Sequence, residues 1–391
     1  MSVVDGDRNG DDNFIPTQAD WDNEFLTPVS IEQNSPDPYV QLCKLNFKDY
    51  SNSPHLTPMF RFLVSSSKCG QGVTNVRLST LVKKVKANRF VEPTGFIFHE
   101  SRVGSTLIAN LLASDPWSMV FSESAPAATA LLHCKTCSRE ENVKLFRDVV
   151  TVMGASSFHK RLFFKFQSIT STKMDIALEA FPNVPFAFLY RDPLQTIMSH
   201  MDPSKSSEGA PCLRSMRRPP AEVILSIDKY EQHKKAPKVA WCAAHLNMLC
   251  TNAIRAYEKF GLATLPTGES VQRGVMVHYD SLPGAFTSII LPLFGIQTIP
   301  TYWLDKATSE STHYSKGGKD YKRKPFKKDG EEKERRATDV IKEWSSKIMK
   351  QSYMHLLRIS NISYKAVFPD LVLLPRQVFR SLLESTERRV H

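Results

Sequence analysis

The decisive stretch of the sequence is GFIFHESRVGSTLIANLLA, residues 95–113. Residues 95–98 are apolar and predict a buried strand that ends at His99. A short loop follows, and the apolar spacing of Ser105–Ala113 predicts a helix. A strand, a loop and a helix in this order direct backbone N–H groups and the positive end of a helix dipole toward an anion. The stretch therefore predicts an anion site at the start of this helix.

The loop and the first helical turn carry residue types that suit phosphate. Gly104 lacks a Cβ, so that the backbone can approach a ligand closely. Arg102 offers charge-assisted hydrogen bonds, and Ser105 and Thr106 offer hydroxyl groups. The loop is not a Walker A motif, because His99 and Ser105 stand where that motif has glycine and lysine. An ordinary strand-to-helix turn with a Ser/Thr cap is the structural alternative.

The fold class follows from the alternation of apolar strands with helices. Short, almost wholly apolar strands separated by helical patterns predict an α/β fold with a central parallel sheet flanked by helices. In such sheets ligands bind at the carboxyl ends of the strands. The predicted strands are Gly95–His99, Arg161–Phe166, Pro185–Tyr190 and Gly274–His278, and a further predicted helix covers Thr172–Ala180.

The polar composition of residues 1–35 predicts a flexible N-terminal arm, followed by a single domain over residues 36–391 with its motifs within about 90–350.

The net charge of +11 predicts an anionic partner. Much of this charge lies in two basic segments, residues 202–220 and 315–336. No apolar run could span a bilayer and no secretory signal is visible, so we expect a cytoplasmic location.

The seven cysteines are an odd number spread over a long chain, and they do not resemble a disulfide framework. Cys134 and Cys137 form a lone C-x-x-C pair without the second pair that zinc needs. Cys212, Cys242 and Cys250 lack ligand spacing. Free thiols or one local disulfide are therefore favoured over a metal or redox site.

A second motif, FPNVPFAFLYRDPLQTIMSH at residues 181–200, predicts a strand that ends at Arg191 and a helix that contains Ser199. The two residues are eight positions apart. An arginine at a strand end and a serine in the first turns of the next helix can converge on one phosphate. The alternative is an ion pair between Arg191 and Asp192 beside a surface serine.

The two motifs together resemble those of sulfotransferases that use 3′-phosphoadenosine-5′-phosphosulfate (PAPS). SRVGSTL resembles the loop P-[KR]-S-G-[ST]-T of that family, although Ser101 and Val103 replace its usual Pro and Ser. The resemblance implies that Arg102, Gly104, Ser105 and Thr106 bind PAPS.

Further segments extend the resemblance over roughly residues 90–350. The second motif resembles the family's 3′-phosphate motif, which implies that Arg191 and Ser199 bind that phosphate. VMVHYDSLP, residues 275–283, resembles an element that offers Tyr279 to the nucleotide. Residues 315–322 resemble a basic loop that closes over the nucleotide, with Lys316 as its main contact.

The resemblance also implies a general base. The cytosolic branch of the family uses a histidine after a strand that here reads RLFFKFQ, where Gln167 cannot act as a base and Lys165 is retained. The tyrosylprotein or Golgi-type branch uses a glutamate, and Glu123 lies 21 residues after Arg102, at that branch's spacing. A surface glutamate that caps a helix is the structural alternative. Alternative bases are His99, His133, His159 and His200.

The resemblance implies transfer of a sulfuryl group from PAPS to a hydroxyl or amine acceptor, with Glu123, Arg102 and Lys165 as catalytic residues and no metal ion. The acceptor, whether a small molecule, a carbohydrate or a protein tyrosine, stays open. One alternative is a phosphotransferase of the P-loop kinase class. The other is a basic nucleic-acid-binding protein, which is disfavoured because Tyr321 and Phe326 are the only aromatics within its most basic segment.

Overall fold

The computed structural model describes residues 26–67, 69, 74–203, 209–264, 267–315 and 325–367. The strands are β1 (Thr27–Ile31), β2 (Tyr39–Cys43), β3 (Thr74–Arg77), β4 (Pro93–His99), β5 (Ser118–Ser122), β6 (Arg161–Lys165), β7 (Phe186–Tyr190), β8 (Leu262–Thr264), β9 (Ser270–Gln272) and β10 (Gly274–His278). The helices are α1 (Phe47–Asn52), α2 (Phe60–Ser66), α3 (Leu78–Lys86), α4 (Ser105–Ala113), α5 (Ala125–Leu132), α6 (Arg139–Met153), α7 (Met174–Ala180), α8 (Pro193–Met201), α9 (Ala221–Asp228), α10 (Lys238–Phe260), α11 (Thr301–Ser311), α12 (Gly330–Arg336) and α13 (Asp339–Val367). Short 3₁₀ helices cover Pro54–Leu56, Ser168–Lys173, Pro211–Met216 and Tyr279–Ser281, and further helical turns cover Phe286–Ile290 and Leu291–Leu293.

The central sheet has five parallel strands in the order β10-β7-β4-β6-β5. Every residue of β5, β7 and β10 is buried, which requires that both faces of the sheet are covered. The predicted α/β fold with a central parallel sheet flanked by helices is confirmed. The predicted limits of β10 and α4 agree with the structure to the residue, whereas 3₁₀ helix replaces the first two residues of the predicted helix Thr172–Ala180.

The strand order places β4 in the middle of the sheet. From β4 the chain passes to the edge strand β5, returns to β6 beside β4, and then forms β7 on the other side of β4. A crevice forms at the carboxyl ends of the strands where the direction of winding changes. The residues that follow β4, β6 and β7 therefore lie next to one another at this edge.

Two buried apolar clusters hold the sheet and its helices. The larger one fills the space around the sheet, where the rings of Phe98 and Phe166 stack with their centroids 4.6 Å apart. The smaller one lies between α8, α10 and the first turns of α13. Because α8 carries Ser199 and follows β7, this second cluster fixes one wall of the crevice.

The N-terminal part of the chain contributes more structure than its composition indicates. Strand β1 lies within the 35 residues predicted to be a flexible arm, but it pairs with β2 in an antiparallel sheet that β3 completes. The backbone hydrogen bonds of this pairing bring residues 27–31 into the folded chain. Residues 1–25 of the predicted arm lie outside the described residues. Across the described ranges, no helix is long and apolar enough to cross a bilayer.

The cysteines correct the sequence analysis. Cys134 and Cys137 form a local disulfide, and two further disulfides join Cys43 to Cys69 and Cys212 to Cys242. Cys250 is a buried thiol. The two longer pairs are 26 and 30 residues apart in sequence, and only the tertiary structure brings their Cα atoms to 5.6 Å and 4.7 Å. Spacing along the chain could not reveal them.

Replacement of both Cys212 and Cys242 by alanine should lower the free energy of unfolding by about 3–4 kcal/mol, because the disulfide closes a loop of 30 residues. Urea unfolding of the variant and the parent measures this difference. Peptide mapping of the unreduced protein is the direct check. It should recover the Cys212 and Cys242 peptides as one linked pair and the Cys250 peptide, the internal control, as a free thiol. Alkylation of Cys212 in the denatured, unreduced parent would contradict the assignment.

Candidate functional site

The loop between β4 and α4 has an unusual backbone. Ser101, Arg102 and Gly104 have φ angles of 132°, 58° and 79°. Positive φ is uncommon for residues other than glycine and concentrates at sites where a ligand is bound. A Cβ on Gly104 would lie 2.8 Å from Leu282 Cδ1 and 3.3 Å from Tyr279 Cδ2, so glycine is required here. The loop is thus held against the segment that follows β10.

The start of α4 has polar groups without hydrogen-bond partners in the described part of the chain. Gly104 stands at the N-cap and no side chain caps the first turn. Thr106 is 3% exposed, and among the residues that the structure describes its Oγ1 has no hydrogen-bond partner. Buried polar atoms are nearly always satisfied, so an orphaned hydroxyl beside uncapped amides indicates an absent ligand that accepts hydrogen bonds. The residues predicted to bind phosphate fit an anion.

Arg191 follows β7 and is 4% exposed. Its Nε donates to Gln195 Oε1 at 2.8 Å and its Nη2 donates to Asp329 Oδ1 at 2.9 Å. Ser199 lies two turns along α8, where its Oγ accepts from Lys333 Nζ at 2.7 Å. Lys333 also pairs with Asp329 at 2.7 Å. Asp329 and Lys333 thus link Arg191 to Ser199, so the structure brings the predicted pair to one site.

Tyr279 lies between the loop and Arg191. Its ring centroid is 4.0 Å from Arg191 Cζ, a cation–π contact. Burial raises the pKa of the Tyr279 hydroxyl, so that the ring stays neutral beside the guanidinium. One ring thus contacts both predicted phosphate-binding elements.

A cavity of about 530 Å³ opens beside Arg191 and Tyr279. This volume lies within the range of sites that hold small organic ligands. Burial lowers the pKa of His278 in its wall to about 4, so this histidine is neutral near pH 7. The other lining residues include Tyr190, Gln195, Asp280, Ser281, Gly330, Glu334, Leu357, Ser360, Asn361 and Tyr364.

Glu123 and Lys165 meet at the carboxyl ends of β5 and β6. The side chains form a short ion pair, and the Glu123 N–H donates to the Lys165 carbonyl at 2.6 Å. Lys165 is 1% exposed, whereas the Glu123 side chain is part-exposed. Glu123 also has a positive φ of 60°, which is uncommon for this residue type. The predicted base and the predicted lysine form one unit.

The histidines proposed as alternative bases have other surroundings. His99 is buried with Nε2 2.9 Å from the Phe166 carbonyl oxygen, and His159 is buried with Nδ1 3.0 Å from Ser156 Oγ. His200 is buried within α8, and His133 is exposed after α5.

Lys316 lies outside the described residues. The residue before it, Ser315, accepts a hydrogen bond through its carbonyl from Asn110 Nδ2 at 3.2 Å. Asn110 belongs to α4, so the chain enters the predicted basic loop next to the helix of the phosphate loop. Arg102, on that loop, has an exposed side chain.

Sequence reasoning missed Glu100, which comes directly after β4. It is 1% exposed, Oε2 accepts from the Arg191 N–H at 3.2 Å, and Oε1 has no hydrogen-bond partner within the described ranges. Burial raises the pKa of this carboxyl well above its usual value. Burial therefore favours the uncharged form of this acid, which adds no negative charge beside Arg191. Nothing in the sequence distinguishes Glu100 from a surface glutamate, and Asp329 and Lys333 were likewise seen only as part of a basic segment.

Neither a protein-family model nor a curated protein matches the sequence. Similar solved structures include a sulfotransferase from Alicyclobacillus acidocaldarius and a sulfotransferase domain from the curacin biosynthetic pathway. The first has a TM-score of 0.37 and 9% identity, and the match covers 69% of this chain and 96% of that chain. The second has a TM-score of 0.36 and 14% identity, with coverage of 71% and 99%. These likenesses are too weak to assign an activity.

The variant Glu100→Gln should make stability less dependent on pH. Folding raises the pKa of Glu100. The free energy of unfolding of the parent therefore falls as the pH rises from the unfolded pKa near 4.5 through the folded pKa. The amide in the variant does not ionise, so the variant does not lose stability in this way. Its free energy of unfolding in urea, relative to that of the parent, should therefore increase from pH 5 to pH 8. The exposed Glu92→Gln is the matched control. A constant difference between Glu100→Gln and the parent over this range would contradict the raised pKa.

Proposed function

We propose that the protein is a sulfotransferase that transfers a sulfuryl group from PAPS to a hydroxyl or amine acceptor. The observation that carries the proposal is the convergence of Arg191 and, through Lys333, of Ser199 on the Asp329 carboxylate, a position for an anion next to the loop Ser101–Thr106. PAPS carries a phosphosulfate and a 3′-phosphate on one nucleoside, and therefore requires two neighbouring anion sites. The cavity beside Arg191 offers room for the nucleoside.

In this proposal the 5′ end of the donor binds at the start of α4. Backbone amides after Gly104 and the hydroxyls of Ser105 and Thr106 donate to its oxygens, which supplies the partner that Thr106 Oγ1 lacks. Arg102 neutralises the group that is transferred. Tyr279 borders the nucleoside, and Lys316 closes over it as the sequence resemblance implies.

Sulfuryl transfer, like phosphoryl transfer, needs an in-line arrangement and neutralisation of charge on the oxygens. The protein supplies positive charge through Arg102, Lys165 and the amides of α4, the role that Mg²⁺ has in kinases. We therefore propose that no metal ion is required.

Glu123 is proposed as the base that takes the acceptor proton. The ion pair with Lys165 holds the Glu123 carboxylate in one position at the carboxyl ends of β5 and β6. Lys165 is buried and fixed by this contact, and its Nζ can donate to an oxygen of the donor on which charge develops. This glutamate base is the feature of the Golgi-type branch.

The structure bears on the location of the enzyme through its disulfides. Disulfides persist in oxidising compartments and are rare in the cytosol. The three pairs therefore favour folding in an oxidising compartment over the cytoplasmic location expected from the sequence. The glutamate base agrees with such a location, since the resembling branch belongs to the Golgi.

Calorimetry should show that the parent binds adenosine 3′,5′-bisphosphate at least about tenfold more tightly than AMP. Arg191→Ala should reduce the affinity for the bisphosphate about 10- to 100-fold, the value of a charge-assisted hydrogen bond, and leave that for AMP nearly unchanged. The exposed Arg255→Ala is the matched control. Equal affinities of the parent for the two nucleotides would overturn the proposal.

The same titrations separate the two alternatives. Tight binding of ATP only with Mg²⁺, in preference to the bisphosphate, would indicate a phosphotransferase. Salt-dependent binding of single-stranded oligonucleotide that the bisphosphate does not displace would indicate a nucleic-acid-binding protein.

Glu123→Gln should lower turnover by about 10²–10⁴-fold, the effect of losing a general base, and leave the affinity for the bisphosphate almost unchanged. The amide retains the shape of the side chain and can still accept from Lys165. Hydrolysis of PAPS by the purified protein provides an assay until an acceptor is known. Glu92→Gln is again the control. A variant that turns over like the parent would exclude Glu123 as the base.

A further inference from the structure

The position proposed for the 3′-phosphate holds a carboxylate of the chain itself. Asp329 presents one oxygen to Arg191 Nη2 at 2.9 Å and the other to Lys333 Nζ at 2.7 Å. Lys333 also donates to Ser199 Oγ at 2.7 Å. Arginine and lysine are groups that typically bind phosphate, and here both hold a carboxylate, while the lysine is also bound to a serine hydroxyl.

The backbone at this point is adapted to the contact. Asp329 directly precedes α12, but its side chain does not cap that helix and extends to Arg191 instead. A Cβ on the next residue, Gly330, would lie 2.8 Å from Gln195 Nε2, so glycine allows this close approach. Gln195 in turn donates to Glu334 Oε1 at 3.1 Å and accepts from Arg191. The segment is thus fitted to the Arg191 side chain.

Electrostatics explain why an anion is needed here. A buried guanidinium without an anion would be strongly unfavourable. Burial by itself would raise the pKa of Asp329, but the hydrogen bonds from Lys333 and Arg191 outweigh it and leave that pKa lowered. Asp329 is therefore ionised near pH 7. Its side chain is 45% exposed, so it can leave toward solvent when another anion takes its place.

We infer that Asp329 is a built-in competitor for the 3′-phosphate and that Lys333 is a third ligand of this phosphate, beside Arg191 and Ser199. The inference rests on the proposed function. A phosphate monoester carries between one and two negative charges near neutrality, against one for a carboxylate, so the exchange is electrostatically favourable. Asp329 is tethered and competes at an effective concentration on the order of millimolar.

The exchange has a consequence for turnover. The nucleotide product of sulfuryl transfer, adenosine 3′,5′-bisphosphate, keeps its 3′-phosphate and would leave Arg191 without an anion on departure. Return of Asp329 to Arg191 supplies that anion and therefore speeds release of the product. Asp329 occupies the site in part of the population, so only the remaining fraction can bind the 3′-phosphate. The apparent affinity for the bisphosphate is reduced in proportion to that fraction.

The experiment measures binding of adenosine 3′,5′-bisphosphate and of AMP to the full chain by calorimetry, and release of the bisphosphate by stopped flow. Asp329→Asn should bind the bisphosphate about tenfold more tightly and release it more slowly, with the affinity for AMP unchanged. Glu332→Gln removes one negative charge from the exposed side of the same helix and should change either affinity by less than about threefold.

Lys333→Met separates the two roles of this lysine. If Lys333 binds the 3′-phosphate, its loss should weaken binding of the bisphosphate about tenfold, as expected for a charge-assisted contact, and leave the affinity for AMP unaffected. A lysine that only holds Asp329 in place would give the opposite sign, because its loss would free Arg191. Tighter binding by Lys333→Met would therefore overturn the assignment of Lys333.

The outcomes distinguish this inference from the proposed function. If the parent prefers the bisphosphate over AMP but Asp329→Asn gains nothing, the competitor is rejected and the proposed function stands. If neither the parent nor Asp329→Asn prefers the bisphosphate over AMP, both the competitor and the proposed function are rejected. Circular dichroism and the bisphosphate-induced increase in Tm verify that each variant is folded, and this increase should be larger for Asp329→Asn than for the parent.

Discussion

A buried guanidinium must have an anion beside it, and this requirement organises the crevice of the protein. Arg191 is almost wholly buried behind the aromatic ring of Tyr279. Its neighbours are arranged to satisfy its charge: Gln195 accepts one N–H, and Asp329 provides the negative charge. Transfer of an unpaired charge out of water costs several kcal/mol, so the segment around Asp329 is held to the end of β7 by this contact.

The parallel sheet brings the remaining groups to this crevice. Each of its five strands ends with a polar residue at the same edge, because parallel strands share one direction. The hydrophobic strands are covered on both faces and leave this edge as the place where polar side chains from different strands can meet. Two glutamates show how position there determines chemistry: burial raises the pKa of Glu100 beside Arg191, whereas Lys165 provides a positive charge for the part-exposed Glu123.

Much of the site could be predicted from local patterns. The strand β4, the glycine loop and the helix α4 are contiguous in sequence, so their residues were found together, and the eight-residue spacing of Arg191 and Ser199 follows from a strand end and the helix after it. The pairing of Glu123 with Lys165 was not predicted as such, although both were named, because it arises from strands that are neighbours in the sheet and 42 residues apart in sequence. Asp329 and Lys333 were hidden in a run of charges for the same reason.

The sequence by itself determined the elements whose signal is local: apolar runs that form buried strands, amphipathic helices, and a loop whose glycine and arginine suit an anion. Hydrophobic periodicity and backbone sterics act over a few residues, and therefore can be inferred without knowledge of the fold. Only the tertiary structure decided which charges meet, which cysteines pair and whether Glu100 is buried. These properties depend on distances between segments far apart in the chain, and on exclusion of water by the complete core, which changes the energy of every charge that it encloses.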